Sequence, residues 1–213
     1  MKSCIILNGK IQDYNKIKEV IIKEKYDYII CADGGANHAY NMDIIPNYII
    51  GDLDSINKDI VKHYKTYKVK FEQFPTKKNE TDSELCIYLS DKLKTKELHL
   101  IGALGGRIDH TIANINLLYY IRQMDIVPKI ISEYEEIYIA SNEEISVQGK
   151  KGDTISIIPI KGDANGVTLK NLEYSLENYN MKFSVPLGIS NIMLDSKCNI
   201  KVNEGNLIVI RNI

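Results

Sequence analysis

From the amino terminus to about Ser132, short apolar runs alternate with stretches in which apolar residues recur every three or four positions. Alternation of these two periods predicts β-α units wound around a parallel sheet. Strands are expected at Ser3–Asn8, Tyr28–Ala32, Tyr48–Ile50, Val69–Phe74, Leu98–Gly102 and Lys129–Ser132. Helical spacing is clearest in Tyr14–Lys25, where Ile17, Val20 and Ile21 mark one face and Glu24 its edge. It returns in Asp109–Met124, with Ile112, Ile115 and Leu118 on one stripe.

Beyond Ser132 the texture changes. Tyr138–Ala140, Thr154–Pro159, Val167–Lys170, Lys182–Val185 and Asn206–Arg211 read as short strands, divided by turn signals at Gly149–Gly152, Gly162–Gly166 and Asn203–Gly205. No long helical period occurs there. The pattern therefore predicts an α/β chain in two parts: an N-terminal Rossmann-like parallel-sheet domain over residues 1–134, and a C-terminal all-β sandwich domain over residues 135–213.

Composition narrows the function classes. The 213 residues are 44% hydrophobic and 26% charged, ordinary for a globular protein able to bury a core. A net charge of -1 leaves no global field to recruit nucleic acid or an anionic membrane, so any phosphate must be held by a local site. Cys4, Cys31, Cys86 and Cys198 are scattered without a C-x-x-C pair and read as buried thiols of a reducing compartment. The first residues carry too short an apolar run for a signal peptide, and no stretch is long enough to span a bilayer. The expected location is cytoplasmic.

Candidate chemistry gathers where the first-domain strands end. Tyr28–Ala32 runs into Asp33-Gly34-Gly35-Ala36-Asn37, and Tyr48–Ile50 into Gly51-Asp52-Leu53-Asp54-Ser55. Leu98–Ile101 runs into Gly102-Ala103-Leu104-Gly105-Gly106-Arg107-Ile108-Asp109-His110. Ligands of open parallel sheets bind beyond the carboxyl ends of the strands. Asp52 and Asp54 could share one hard cation such as Mg2+, which favours one or two carboxylates with phosphate oxygens; alternatively Asp-x-Asp-Ser caps the helix near Ile56–Lys65. Thr81 and Glu84 form a capping-box pattern, so Asp82 is either a first-turn acid favoured by the helix dipole or a third acidic group at the metal. Lys77 and Lys78 could meet phosphate or simply be solvated. Gly105-Gly106 is either a tight turn or a backbone cradle for an anion, with Arg107 suited to polyphosphate; Asp109 is a ligand group or a plain helix cap, and Asn114 follows on the same helix. No phosphate loop of the G-x-x-x-x-G-K-[ST] kind occurs, and the four histidines lack paired zinc spacing.

These blocks, in this order, resemble the thiamin pyrophosphokinase family, and Pro186-Leu187-Gly188-Ile189-Ser190-Asn191 is similar to its Gly-x-Ser-Asn segment. The resemblance implies transfer of a diphosphate from ATP to the hydroxyl of thiamin, with Mg2+ as cofactor and a homodimer in which thiamin binds between the catalytic domain of one subunit and the β domain of its partner. It assigns Asp52, Asp54 and Asp82 to the metal, and Asp33, Gly34, Gly105, Gly106, Arg107, Asp109 and Asn114 to ATP. Asp82, Ser190 and Asn191 fall to thiamin, although read from the residues alone Gly188–Asn191 is a turn. Catalytic roles are implied for Asp52, Asp54, Asp82, Arg107 and Asp109, with Asp82 the candidate proton acceptor. Some relatives stack thiamin on a tryptophan; this chain has none, so Ile192 or Met193 is expected to give an apolar wall. Two rival readings remain: another magnesium-dependent phosphoryl or nucleotidyl transferase acting on a small alcohol, and a non-catalytic nucleotide- or thiamin-binding module.

Overall fold

The structure, a computed structural model, describes residues 1–75 and 79–213. Lys77 and Lys78, expected as phosphate candidates, lie outside the described residues. The fold is mixed α/β, and the chain divides into two compact units, Met1–Glu133 and Tyr134–Ile213.

In the first unit the order is β1 (Lys2–Ile6), α1 (Tyr14–Glu24), β2 (Tyr28–Ala32), α2 (Gly35–Asn41), β3 (Tyr48–Gly51) and α3 (Lys58–Lys65). It continues with β4 (Lys70–Gln73), α4 (Asp82–Lys92), β5 (Glu97–Ile101), α5 (Ile108–Arg122) and β6 (Val127–Ile131). The strands pair in parallel, in the order β4-β3-β2-β1-β5-β6. Consecutive residues such as Cys4, Ile5 and Ile6 are all buried, the mark of a sheet covered on both faces. Ile17 and Ile21 of α1, Ala36 and Ala39 of α2, and Ile60 and Tyr64 of α3 pack with Cys4, Ile6, Cys31 and Ile49. The helix α4 lies against β1, β2 and β3. Strand order reverses between β1 and β5, and there the two following loops are stitched together by Gly9 N–H to Gly102 O at 2.8 Å and Lys10 N–H to Leu104 O at 3.0 Å.

The second unit contains β7 (Glu135–Ser141), β8 (Glu144–Gln148), β9 (Thr154–Lys170), β10 (Leu176–Met181), β11 (Asn191–Ile192), β12 (Lys197–Lys201) and β13 (Glu204–Asn212). All pairings among them are antiparallel, in the order β7-β13-β9-β12-β8, with β10 and β11 also joined to β9. Its core holds Val147, Ile155, Ile157, Leu169, Met193, Ile200 and Val209.

Two expectations are corrected here. Gly162–Gly166, read as a turn between two strands, is a bend inside β9, absorbed by positive φ at Lys161 (61°), Gly162 (132°) and Gly166 (68°). One half of that strand pairs with β13 and the other with β10 and β12, so pairing outweighs the local breaker. Lys182–Val185, expected as a strand, is a turn: Asp163 accepts hydrogen bonds from the Phe183 N–H at 2.9 Å and the Lys182 ammonium at 2.6 Å, and Ser184 has φ 70°.

Candidate active site

The end of β2 lies beside the end of β3, with Ala32 opposite Ile50, and the Asp33 N–H continues the ladder to Ile50 O at 2.7 Å. The next residues of both strands are therefore neighbours. One oxygen each from Asp33, Asp52 and Asp54 falls within a span of 4.8 Å. Gly51 is what lets these groups close up. Its φ is 151°, and a Cβ there would come to 2.8 Å from Asp33 Cβ and 3.3 Å from the Asp82 carboxyl carbon. Asp82 thus reaches the same corner from the start of α4.

The capping alternatives for Asp52, Asp54 and Asp109 give way to other residues, while Asp82 does stand in the first turn of α4. Asn57 is the N-cap of α3, its side chain accepting from Asp59 N–H at 2.9 Å, so Asp52 and Asp54 are not spent on that helix. Thr81 caps α4 in a complete capping box with Glu84. The helix α5 begins at Ile108 with Arg107 as N-cap and no side-chain cap bond, which removes the alternative that Asp109 is its plain cap.

Asn37 of α2 braces the acidic loop. Its amide donates to Ser55 O at 2.9 Å and its Oδ1 accepts from Asn57 N–H at 3.1 Å. Along the chain Asn37 is only the last residue of the Asp33–Asn37 motif; the folded loop reveals its role. Within the loop, Ser55 Oγ donates to Asp54 Oδ1 at 3.0 Å.

The electrostatics point the same way. Asp33 is 8% exposed, and its Oδ1 is buried without a hydrogen-bond partner among the described residues. Burial pushes its carboxyl pKa up and the charges of Asp82 and Asp52 push in the same direction, against hydrogen bonds from Ser55 and Gly34. A buried, orphaned carboxylate oxygen is costly unless something positive meets it. All the donors are hard carboxylate oxygens, the set that Mg2+ accepts, so these residues fit that ion. Asp33, expected with the nucleotide, lies beside Asp52 and Asp54 at this corner.

Gly105 and Gly106 take φ of 78° and 74°, values an L side chain rarely adopts, and turn the chain after β5. Arg107 and Asp109 face each other, with Nη2 to Oδ2 at 2.5 Å and Nε to Oδ1 at 3.1 Å. Both are exposed; their hydrogen bond holds Arg107 above its ordinary pKa and Asp109 below its own. Asn114 reaches back to donate to Ala103 O at 2.8 Å, pinning the glycine loop to α5. In the second unit Ser190 is exposed with φ 60°, and its N–H donates to Ser156 Oγ at 3.1 Å. Asn191 is 3% exposed, its amide closed on the backbone of Tyr174 through bonds of 2.9 and 2.8 Å. Met193 is fully buried in the core and offers no wall to a ligand, leaving Ile192 from that expectation.

An acidic corner and a glycine-arginine loop on the carboxyl edge of a parallel sheet fit the broad class of enzymes that handle a phosphate chain. Comparison with known proteins sharpens the class. The model of the thiamin pyrophosphokinase catalytic domain matches residues 21–129, and that of the thiamin pyrophosphokinase vitamin B1 binding domain matches residues 136–207. Thiamine pyrophosphokinase 2 of Oryza sativa subsp. japonica is 30% identical, over 86% of this chain and 78% of its own. Thiamine pyrophosphokinase of Bacillus subtilis (strain 168) is 27% identical, over 86% of each. A crystal structure of thiamine pyrophosphokinase from Bacillus subtilis superposes with a TM-score of 0.88 at 24% identity, covering 100% of this chain and 99% of that one. The chain belongs to the thiamin pyrophosphokinase family.

Proposed function

We propose that the protein transfers the diphosphate of ATP to the hydroxyl of thiamin, giving thiamin diphosphate and AMP. Family membership over both units supports the reading. The observation that carries the chemistry is the gathering of Asp33, Asp52 and Asp54 around a buried carboxylate oxygen with no partner.

Asp52 and Asp54, with Asp33 and Asp82 beside them, would hold Mg2+, which when bound supplies positive charge against the phosphate chain. The thiamin alcohol attacks the β-phosphorus; its O–P bond forms as the bond from that phosphorus to the α–β bridging oxygen breaks, and the electron pair leaves with AMP. The alcohol proton passes to Asp82. Arg107 turns from Asp109 onto the diphosphate and offsets its charge, while Asp109 and the Gly105-Gly106 backbone orient the nucleotide, with Gly34 and Asn114 fixing the loops that border it. Alignment and neutralisation do most of the work here, since no covalent intermediate is needed.

In this reading residues 1–134 form a Rossmann-like catalytic domain and residues 135–213 a thiamin-binding sandwich. Ser190 faces thiamin and Asn191 acts by holding the segment. The protein works as a homodimer with a thiamin site shared between subunits. Cytoplasmic location is part of the same reading, supported by four free and buried cysteines; among the described residues no helix is long and apolar enough to cross a membrane. The test is direct: purified protein with ATP, magnesium and thiamin should yield thiamin diphosphate and AMP in equal amounts. Formation of ADP instead would mean simple phosphorylation, and release of pyrophosphate nucleotidyl transfer; either result rejects the proposal.

A further inference from the structure

The opposite edge of the parallel sheet carries a cavity. It has a volume of about 300 Å³ and lies where β2, β3 and β4 begin, lined by Tyr28, Pro46, Tyr48, Tyr67, Lys68 and Lys70 among others. Parallel strands put their starts and ends on opposite edges, and a four-residue strand spans roughly 13 Å. A ligand here is therefore separate from the carboxylates that follow β2 and β3.

The lining has a definite chemistry. Tyr28 and Tyr48 stand with ring centroids 6.2 Å apart, and Tyr67 is 44% exposed at the rim, its other side against His63 at 5.1 Å. The Lys70 ammonium sits over the Tyr48 ring at 5.2 Å and donates to its hydroxyl at 3.4 Å. Among the described residues Lys70 has no carboxylate partner. Lys68 is exposed, and among the described residues no carboxylate lines the cavity. Phenol faces bind flat π systems, and lysine ammonium groups bind phosphate. The volume is at the small end of ligand pockets.

We infer that this cavity is a non-catalytic site for a small aromatic phosphate ester, its ring against Tyr28 and Tyr67 and its phosphate on Lys68 and Lys70. The site is argued from its own residues. Only the choice of probes rests on the proposed reaction, whose products AMP and thiamin diphosphate both join a heteroaromatic ring to phosphate.

Calorimetric titration of the full-length protein with AMP, and separately with thiamin diphosphate, tests it. At least one probe should fill this site, and the one that does identifies the source. In the double variant Lys68→Glu, Lys70→Glu that site should weaken more than tenfold, with kcat and both substrate KM values unchanged at low product. Tyr67→Ala, a change at an exposed ring, should weaken the same site and reads the stacking contribution independently. Adenosine and thiamin, lacking phosphate, should leave it empty. If neither probe fills a site that the charge reversal weakens, the inference is overturned. Absence of thiamin diphosphate synthesis by the unaltered protein would instead reject the proposed reaction and leave the titration readable.

Discussion

Two clusters of ligand-type side chains sit on opposite edges of the same sheet, and they differ in how their charge is met. Glu24, Glu97 and His99 come together at the starts of β1 and β5, with ligand atoms as close to one another as those of Asp33, Asp52 and Asp54 at the ends of β2 and β3. The first cluster brings its own cation. Lys2 pairs with Glu24 and with Glu97, the latter at 3.0 Å. His99, fully buried, contacts Glu97 at 2.8 Å and Tyr26 at 2.7 Å. In the second cluster Asp33 keeps a buried oxygen without a partner. Proximity of carboxylates alone does not distinguish a structural knot from a cation site; the difference is a group whose burial cost no neighbour repays.

The largest effect expected from this contrast is at Asp54. Asp54→Asn removes one charge from an exposed position without disturbing the core, so the melting temperature should hold while kcat falls by about 10²–10³-fold, the size typical for losing one group that holds transition-state charge. Turnover at the unaltered rate with ordinary magnesium would detach this corner from catalysis.

Gly51→Ala attacks the geometry and not the charge. The new Cβ would press on Asp33 and Asp82 at a φ of 151°. The backbone strain should cost about 1–3 kcal/mol, read as a lower midpoint in denaturant. Displacing the acids by even ~1 Å should cost about a hundredfold in kcat. A variant as active as its parent would mean that the spacing of these carboxylates is not critical.

How far this contrast could be read from the chain alone depends on which contacts are local. The strands of the first unit are legible because runs such as Tyr48–Ile50 are buried end to end, and the capping box of α4 because Thr81 and Glu84 meet three residues apart. Nothing in the Asp33 segment shows that β3 lies beside β2, and it is that pairing that brings Asp33 to Asp52. Asn37 and Asn57 were passed over for a similar reason, since a loop brace and a cap are visible only once the loop is closed. In the second unit β8 and β12 alternate over five residues each, too briefly to stand out, while the glycines of β9 suggested a break that long-range pairing overrides.

A pH titration sharpens the comparison further. The Asp33 carboxyl holds its proton above the ordinary value of 3.8, through burial first and the charges of Asp82 and Asp52 next. A raised folded pKa contributes stability that is fully present below the unfolded value and lost as pH rises through the folded one. Metal-free protein should therefore lose part of its stability as pH climbs above about 3.8, in a step absent from Asp33→Asn and reversed by added magnesium. A chemical-denaturation series across that range checks it; identical pH profiles for the two proteins would remove Asp33 from the account.

The smallest effect is expected where charge is already matched. Burial works against the Lys2 ammonium, but its hydrogen bonds to Glu24 and Glu97 outweigh that and hold its pKa above the ordinary value, while Glu24 is held below its own by Lys2. The Lys2 and Glu24 side chains keep 24% and 22% of their surface in solvent, so screening limits what the pair contributes. Lys2→Met, which keeps the apolar stem, should cost about 1 kcal/mol in a denaturant titration and leave kcat unchanged. Loss of turnover comparable to that of Asp54→Asn, in a variant that melts normally, would mean that the matched cluster also serves the reaction, and the line drawn between the two edges would have to be abandoned.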